Sequence, residues 1–231
     1  MPCSWSHSFM EWHRGNSKYD LGIHLTHTCK WKNYKWRPLS GYGETPLLYD
    51  KDGFMRESVD EEFKEIPVDQ IRKEMMIQME IAQRRGLKIS HIDNHMWTVA
   101  QSDANLEEYF KLAILFKLTP HIPKWTLWNE ERKALVGKYG FKVVDNSISI
   151  CEANSYEEKK GKLFEKLLNI QSGLNLLTLH PVIDTPEIRE IIPKWEERYF
   201  EYKLFMEDET EEVIKRSGIK LIAWKDVGNI K

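Results

Sequence analysis

Between residues 19 and 97 the sequence reads strand, loop, helix, strand, and this order limits the possible folds more than any other feature. Over 19–26, Leu21, Ile23 and Leu25 alternate with Gly22, His24 and Thr26, the period-two pattern of a strand with one buried face. Over 68–85, Ile71, Met75, Met79 and Ala82 recur at helical spacing opposite a charged face, and Gly86 provides the stop. Leu87, Lys88 and Ile89 then lead into a second extended run, 90–97. Two strands joined through a helix pair in parallel, because the crossover returns the chain to the same end of the sheet.

The rhythm continues to the end of the chain. The pattern predicts a helix over 106–115 capped by Asp103 or Asn105, an interrupted strand over 118–123, and a helix over 130–139 ended by Gly140. A strand over 141–145 follows, then a helix over 156–170 capped by Asn154 and Ser155, and an apolar strand over 173–181. Residues 186–206 read as helix with a break at Pro193, a last helix starts at 208–210 and stops at Gly218, and 219–224 read as a closing strand. At the N-terminus a helix is expected over 6–15, capped by Ser6 and stopped by Gly15. With no repeat and no low-complexity linker, the expectation is one α/β domain over 1–231 with parallel strands.

Composition removes several function classes. Net charge is −2 with acids and bases interspersed, which argues against a nucleic-acid surface. No run approaches the roughly 18 apolar residues of a membrane span, and no basic-then-apolar leader opens the chain, so a soluble cytoplasmic protein is expected. Cys3, Cys29 and Cys151 are odd in number and far apart, which fits a reducing compartment and no disulfide framework. Nine tryptophans are many for 231 residues, a pointer toward sugar rings, which stack on aromatic faces. The turn-rich aromatic stretch 29–65, with Trp31, Tyr34 and Trp36, reads as a packed excursion walling one side of a pocket.

The chemistry gathers at strand ends. In an extended 90–97, His91, Asp93 and His95 share one face and Ile92, Asn94 and Met96 the other. His24 and His180 also stand near the C-terminal ends of their strands, where parallel α/β folds place working residues. His7, His13 and His121 fall where a solvated or capping role is the better reading, and His27 is ambiguous. The economical constellation has His24 and His95 as ligands of a divalent metal (magnesium or zinc), a carboxylate nearby, and His180 handling protons. Such a centre suits hydrolysis.

Three motifs resemble the YdjC-like (ChbG-type) carbohydrate deacetylases: Asp20-Leu21-Gly22-Ile23-His24-Leu25-Thr26, His91-Ile92-Asp93-Asn94-His95, and His180-Pro181. The resemblance implies a distorted or incomplete (β/α) TIM-like barrel and a divalent metal. It also implies removal of N-acetyl groups from an amino sugar or small oligosaccharide. Carried over, His24 and His95 are the metal histidines, His180 is the candidate general acid, and Asp93 orients a ligand. Two departures stand out. The family's opening strand, whose Asp-Asp pair supplies a ligand and the base, has no counterpart, so the first βα unit is expected to be missing; and Met96-Trp97-Thr98 stands where the family often has further histidines. The expectation is therefore a metal-dependent deacetylase by ancestry, with the missing ligand and base putting its present activity in question. The alternative is a non-catalytic carbohydrate-binding remnant, and exposed sheet edges favour a homodimer.

Overall fold

The computed structural model describes residues 1–150 and 152–228. Contacts divide them into two compact units, Met1–Lys142 with Ile222–Lys231, and Val143–Leu221.

The first unit opens with α1 (Ser6–Gly15), which buries Met10 and His13. Ser6 lies inside the helix, and Trp5 takes the cap position without a side-chain hydrogen bond, in place of the expected Ser6 cap. Strand β1 (Gly22–Leu25) buries Ile23 and Leu25 while His24 faces outward, as the alternation predicts. Residues 29–65 contain a 3-10 turn, Pro46–Leu48, and the short α2 (Glu61–Lys64), and they pack through Cys29, Leu48, Met55 and Phe63. Helix α3 (Val68–Arg84) buries Ile71, Met75, Met79 and Ala82, the stripe its spacing predicts, together with Glu74 and Gln78. Gly86 follows at φ +70°, a conformation that costs glycine little.

Strand β2 (His91–Asn94) pairs in parallel with β1 in the register Gly22↔His91 to Leu25↔Asn94. A 3-10 segment, His95–Gln101, leads to α4 (Asp103–Phe116), which Ser102 caps by accepting from Asn105 N; neither Asp103 nor Asn105 is the cap. Strand β3 (Thr119–Pro120) pairs in parallel with β2, giving the order β1-β2-β3. Helix α5 (Glu130–Tyr139) is capped by Asn129 and ends at Gly140.

In the second unit β4 (Asn146–Ser149) pairs in parallel with β5 (Asn175–Thr178). The strand expected over 141–145 thus lies a few residues later, with Val144 buried ahead of it. Helix α6 (Tyr156–Leu168), capped by Ser155, packs Leu163 and Leu167 against Leu204 and Val213. Leu204 belongs to α8 (Trp195–Met206) and Val213 to α9 (Asp208–Arg216). The expected break near Pro193 separates α8 from α7 (Pro186–Ile191). No closing strand forms over 219–224: Leu221 is 73% exposed, and the short α10 (Trp224–Val227) starts where the strand was to end. The architecture is α/β with parallel strands, and neither sheet is closed into a barrel among the described residues.

Candidate functional site

The parallel register makes His24 and Asp93 lateral neighbours at the C-terminal ends of β1 and β2. His24 Nδ1 lies 2.8 Å from Asp93 Oδ1, and its Nε2 lies 3.3 Å from His95 Nδ1. With the proton on Nδ1 donated to Asp93, His24 keeps the Nε2 lone pair toward His95. A carboxylate behind an imidazole in this way fixes ring and tautomer and strengthens the imidazole as a ligand. Burial pushes the Asp93 carboxyl up, but the hydrogen bond from His24 and the nearby His24, His121 and His91 rings outweigh it, holding the group below its ordinary range.

His95 reaches His24 because the strand stops at Asn94. Met96 and Trp97 follow with φ of 52° and 56°, left-handed conformations that cost non-glycine residues about 1–2 kcal/mol each. Surrounding contacts hold them there. His27 Nδ1 lies 2.9 Å from Thr98 Oγ1, and Thr28 Oγ1 donates to Met96 Sδ at 3.5 Å. The buried Arg132 donates to Ala100 O at 3.0 Å and to Asp103 Oδ1 at 2.5 Å. The ambiguity over His27 is thereby resolved as a core role: it is fully buried, and burial lowers its pKa to about 4 despite Glu74 nearby.

The end of β1 is fixed from α3. Gln78 accepts from Thr26 N at 3.0 Å and donates to Thr26 O at 2.6 Å. Glu74, also fully buried, accepts from Gln78, from the amides of Leu39 and Ser40, and from Ser40 Oγ, anchoring the 29–65 excursion. That excursion brings Trp36 edge-on to His95 at 6.5 Å, with its Nε1 donating to Thr28 O. Cys29 is a buried free thiol that accepts from Trp36 N, and Cys3 is also free; Cys151 lies outside the described residues.

Other histidines depart from their sequence reading. His91 shares a face with Asp93 but stacks on Trp224 at 4.8 Å, and a Cβ on Gly22 would sit 2.2 Å from His91 Nε2, so β1 needs glycine there. His13 is buried against Tyr19 O at 3.3 Å and is not solvated. His121, read as solvated or capping, is buried directly after β3. Because Ile92 pairs with Pro120, the next residue on each strand aligns Asp93 with His121 and extends the row that His24 begins. Tyr109 fixes that end of the sheet, donating to Ile92 O at 2.7 Å and accepting from His121 N at 3.1 Å. Burial lowers the His121 pKa to about 4 against the pull of Asp93. Its strand-terminal position was the available signal; the flanking prolines obscured it.

His180 belongs to the second unit. It follows β5 with an exposed side chain, and its amide donates to Glu201 Oε2 at 2.7 Å. Glu201 is held by the buried Lys159, whose Nζ lies 3.4 Å from Oε1.

The donor set can be compared with what a metal ion requires. Two imidazole nitrogens on one ion, each about 2.1 Å away, stand about 3.0–3.4 Å apart, and the His24–His95 separation matches. Among the described residues no group of three His, Cys, Asp or Glu side chains is arranged to hold an ion, since Asp93 is engaged behind His24. The site thus brings together two imidazole nitrogens, with a carboxylate behind one of the rings.

Over residues 1–216 the sequence matches the YdjC-like protein family. The chain belongs to that family. Two relatives are named carbohydrate deacetylase. One, from Thermus thermophilus, is 25% identical over 219 residues, covering 88% of this chain and 76% of the relative. The other, from Thermoanaerobacter pseudethanolicus, is 26% identical over 204 residues, covering 87% and 75%. A crystal structure from Enterococcus faecalis V583, provisionally described as a cellobiose-phosphate cleavage protein, superposes with a TM-score of 0.76 at 18% identity, over 95% of this chain and 82% of that one. This last likeness establishes the shared fold. No helix among the described residues is long and apolar enough to cross a membrane.

Proposed function

We propose that this YdjC-like chain is a metal-dependent carbohydrate deacetylase that hydrolyses the N-acetyl group of an amino sugar or small oligosaccharide, on one domain derived from an incomplete (β/α) barrel. The observation that carries the reading is His24 itself, oriented by Asp93 on one nitrogen and facing His95 with the other. The relatives named carbohydrate deacetylase support the substrate class.

In this reading His24 and His95 would hold a divalent ion, magnesium or zinc, which when bound would polarise the acetyl carbonyl and lower the pKa of water. Asp93 keeps the His24 ring in its ligating tautomer. Trp36, beside His95, walls the site. Water adds to the acetyl carbon and gives up a proton to solvent, the C–N bond breaks, acetate departs, and the amine takes a proton from His180 as general acid.

The test is acetate release from N-acetylglucosamine oligomers by the purified chain, with magnesium or zinc and with EDTA. The expected result is release that EDTA abolishes and that His180→Ala lowers about 100-fold or more. The site's two imidazole ligands, without a third protein ligand beside them among the described residues, favour a second reading, a carbohydrate-binding protein without catalysis. Binding that EDTA leaves intact, with no acetate formed, would select it.

A further inference from the structure

Past His95 the chain commits backbone strain to placing one aromatic ring. Trp97, at φ 56°, meets Trp125 edge to face at 4.8 Å with an 82° angle between planes, so the two indoles form a corner. Trp125 is 51% exposed, far more than packing alone requires of the largest apolar side chain. Trp128, also exposed, has the Arg132 guanidinium 3.6 Å from its ring centroid, so that ring already serves a structural contact. His121 adjoins the corner, 5.1 Å from Trp97. It is 7% exposed, and its Nε2 has no hydrogen-bond partner among the described residues. A buried polar atom left in that state is costly, so a partner for it is favoured. Aromatic walls around a single polar group are what a sugar ring requires, its C–H face against the indoles and a hydroxyl for the polar atom.

We infer that Trp97, Trp125 and His121 form a stacking subsite for a pyranose ring next to the reacting sugar. The inference rests on the deacetylase reading for the reacting sugar. Its position follows from the sheet, since His121 extends the row begun by His24 and Asp93. Trp97 is tied to the same row through the chain, two residues after His95. A ring stacked on Trp125 needs no rearrangement of the core, while shifting the Trp97 ring within the corner would open His121 Nε2 to a hydroxyl.

Calorimetric titration of the full chain with N,N′,N″-triacetylchitotriose tests this, comparing Trp125→Ala with Trp12→Ala, an equally exposed tryptophan on α1. Trp125→Ala is expected to weaken binding about tenfold, the loss of one stacked ring, and Trp12→Ala to leave it unchanged. Equal affinity in wild type and Trp125→Ala, or no binding by wild type, would overturn the subsite. Acetate release measured on the same samples separates the two claims. Release with unaltered Trp125→Ala affinity removes the subsite alone, whereas weakened affinity without release keeps the subsite and removes the catalytic reading.

Discussion

The two units hold their candidate residues by different means. In the first, the functional side chains bond to one another: Asp93 to His24, and His24 to His95. In the second, the backbone of His180 is pinned by Glu201 and the buried Lys159, and the imidazole itself is exposed. A pair of rings that must meet a common partner needs fixed side-chain geometry. Buried charge supports both arrangements, Glu74 behind the first and Lys159 behind the second.

Breaking each support separately sharpens the contrast. Glu74→Ala strips the partner from the amides of Leu39 and Ser40, from Ser40 Oγ and from Gln78, and is expected to cost about 3–5 kcal/mol in urea unfolding. The loss should fall on the first unit, seen as increased hydrogen exchange at Thr26 and through 29–65. Lys159→Met leaves Glu201 and Glu197 without their buried cation and is expected to cost about 3 kcal/mol, with exchange rising at the His180 amide. Exchange at Thr26 should not change in that variant.

Acid acts on the first unit as well, through two buried imidazoles. His27 and His121 carry pKa values lowered to about 4, chiefly by burial, against about 6.5 when unfolded. The unfolded chain therefore binds more protons between those values, and stability falls as pH drops from about 6.5 toward 4. Each group contributes about 1.4 kcal/mol per pH unit within that window. Urea midpoints measured at pH 7 and pH 5 check this, and His121→Phe should flatten the dependence.

What the sequence made legible follows the same division. Alternation around Ile23 and Ile92 located the strands of the first unit and aligned His24 with Asp93, because a buried face fixes register. The stripe on α3 was equally plain. His95 lies beside His24, but not by strand alternation. An extended run was expected through Trp97, but the chain turns at Met96 in a left-handed conformation that two large side chains do not signal. His121 was read as solvated or capping because its place in the sheet depends on which strand β3 joins, a fact of tertiary pairing. Over 219–224 the apolar alternation was present, yet a strand also needs a neighbour, and Leu221 found none among the described residues. Family membership was legible because its motifs are those strand ends.

The central claim is that His24 and His95 share one ion. Metal content of the purified chain, after equilibration with zinc or magnesium and removal of free metal, tests it most directly. The expected result is about one ion per wild-type chain and its loss in both His24→Ala and His95→Ala, while His180→Ala retains it. Unchanged stoichiometry in the first two variants would contradict it.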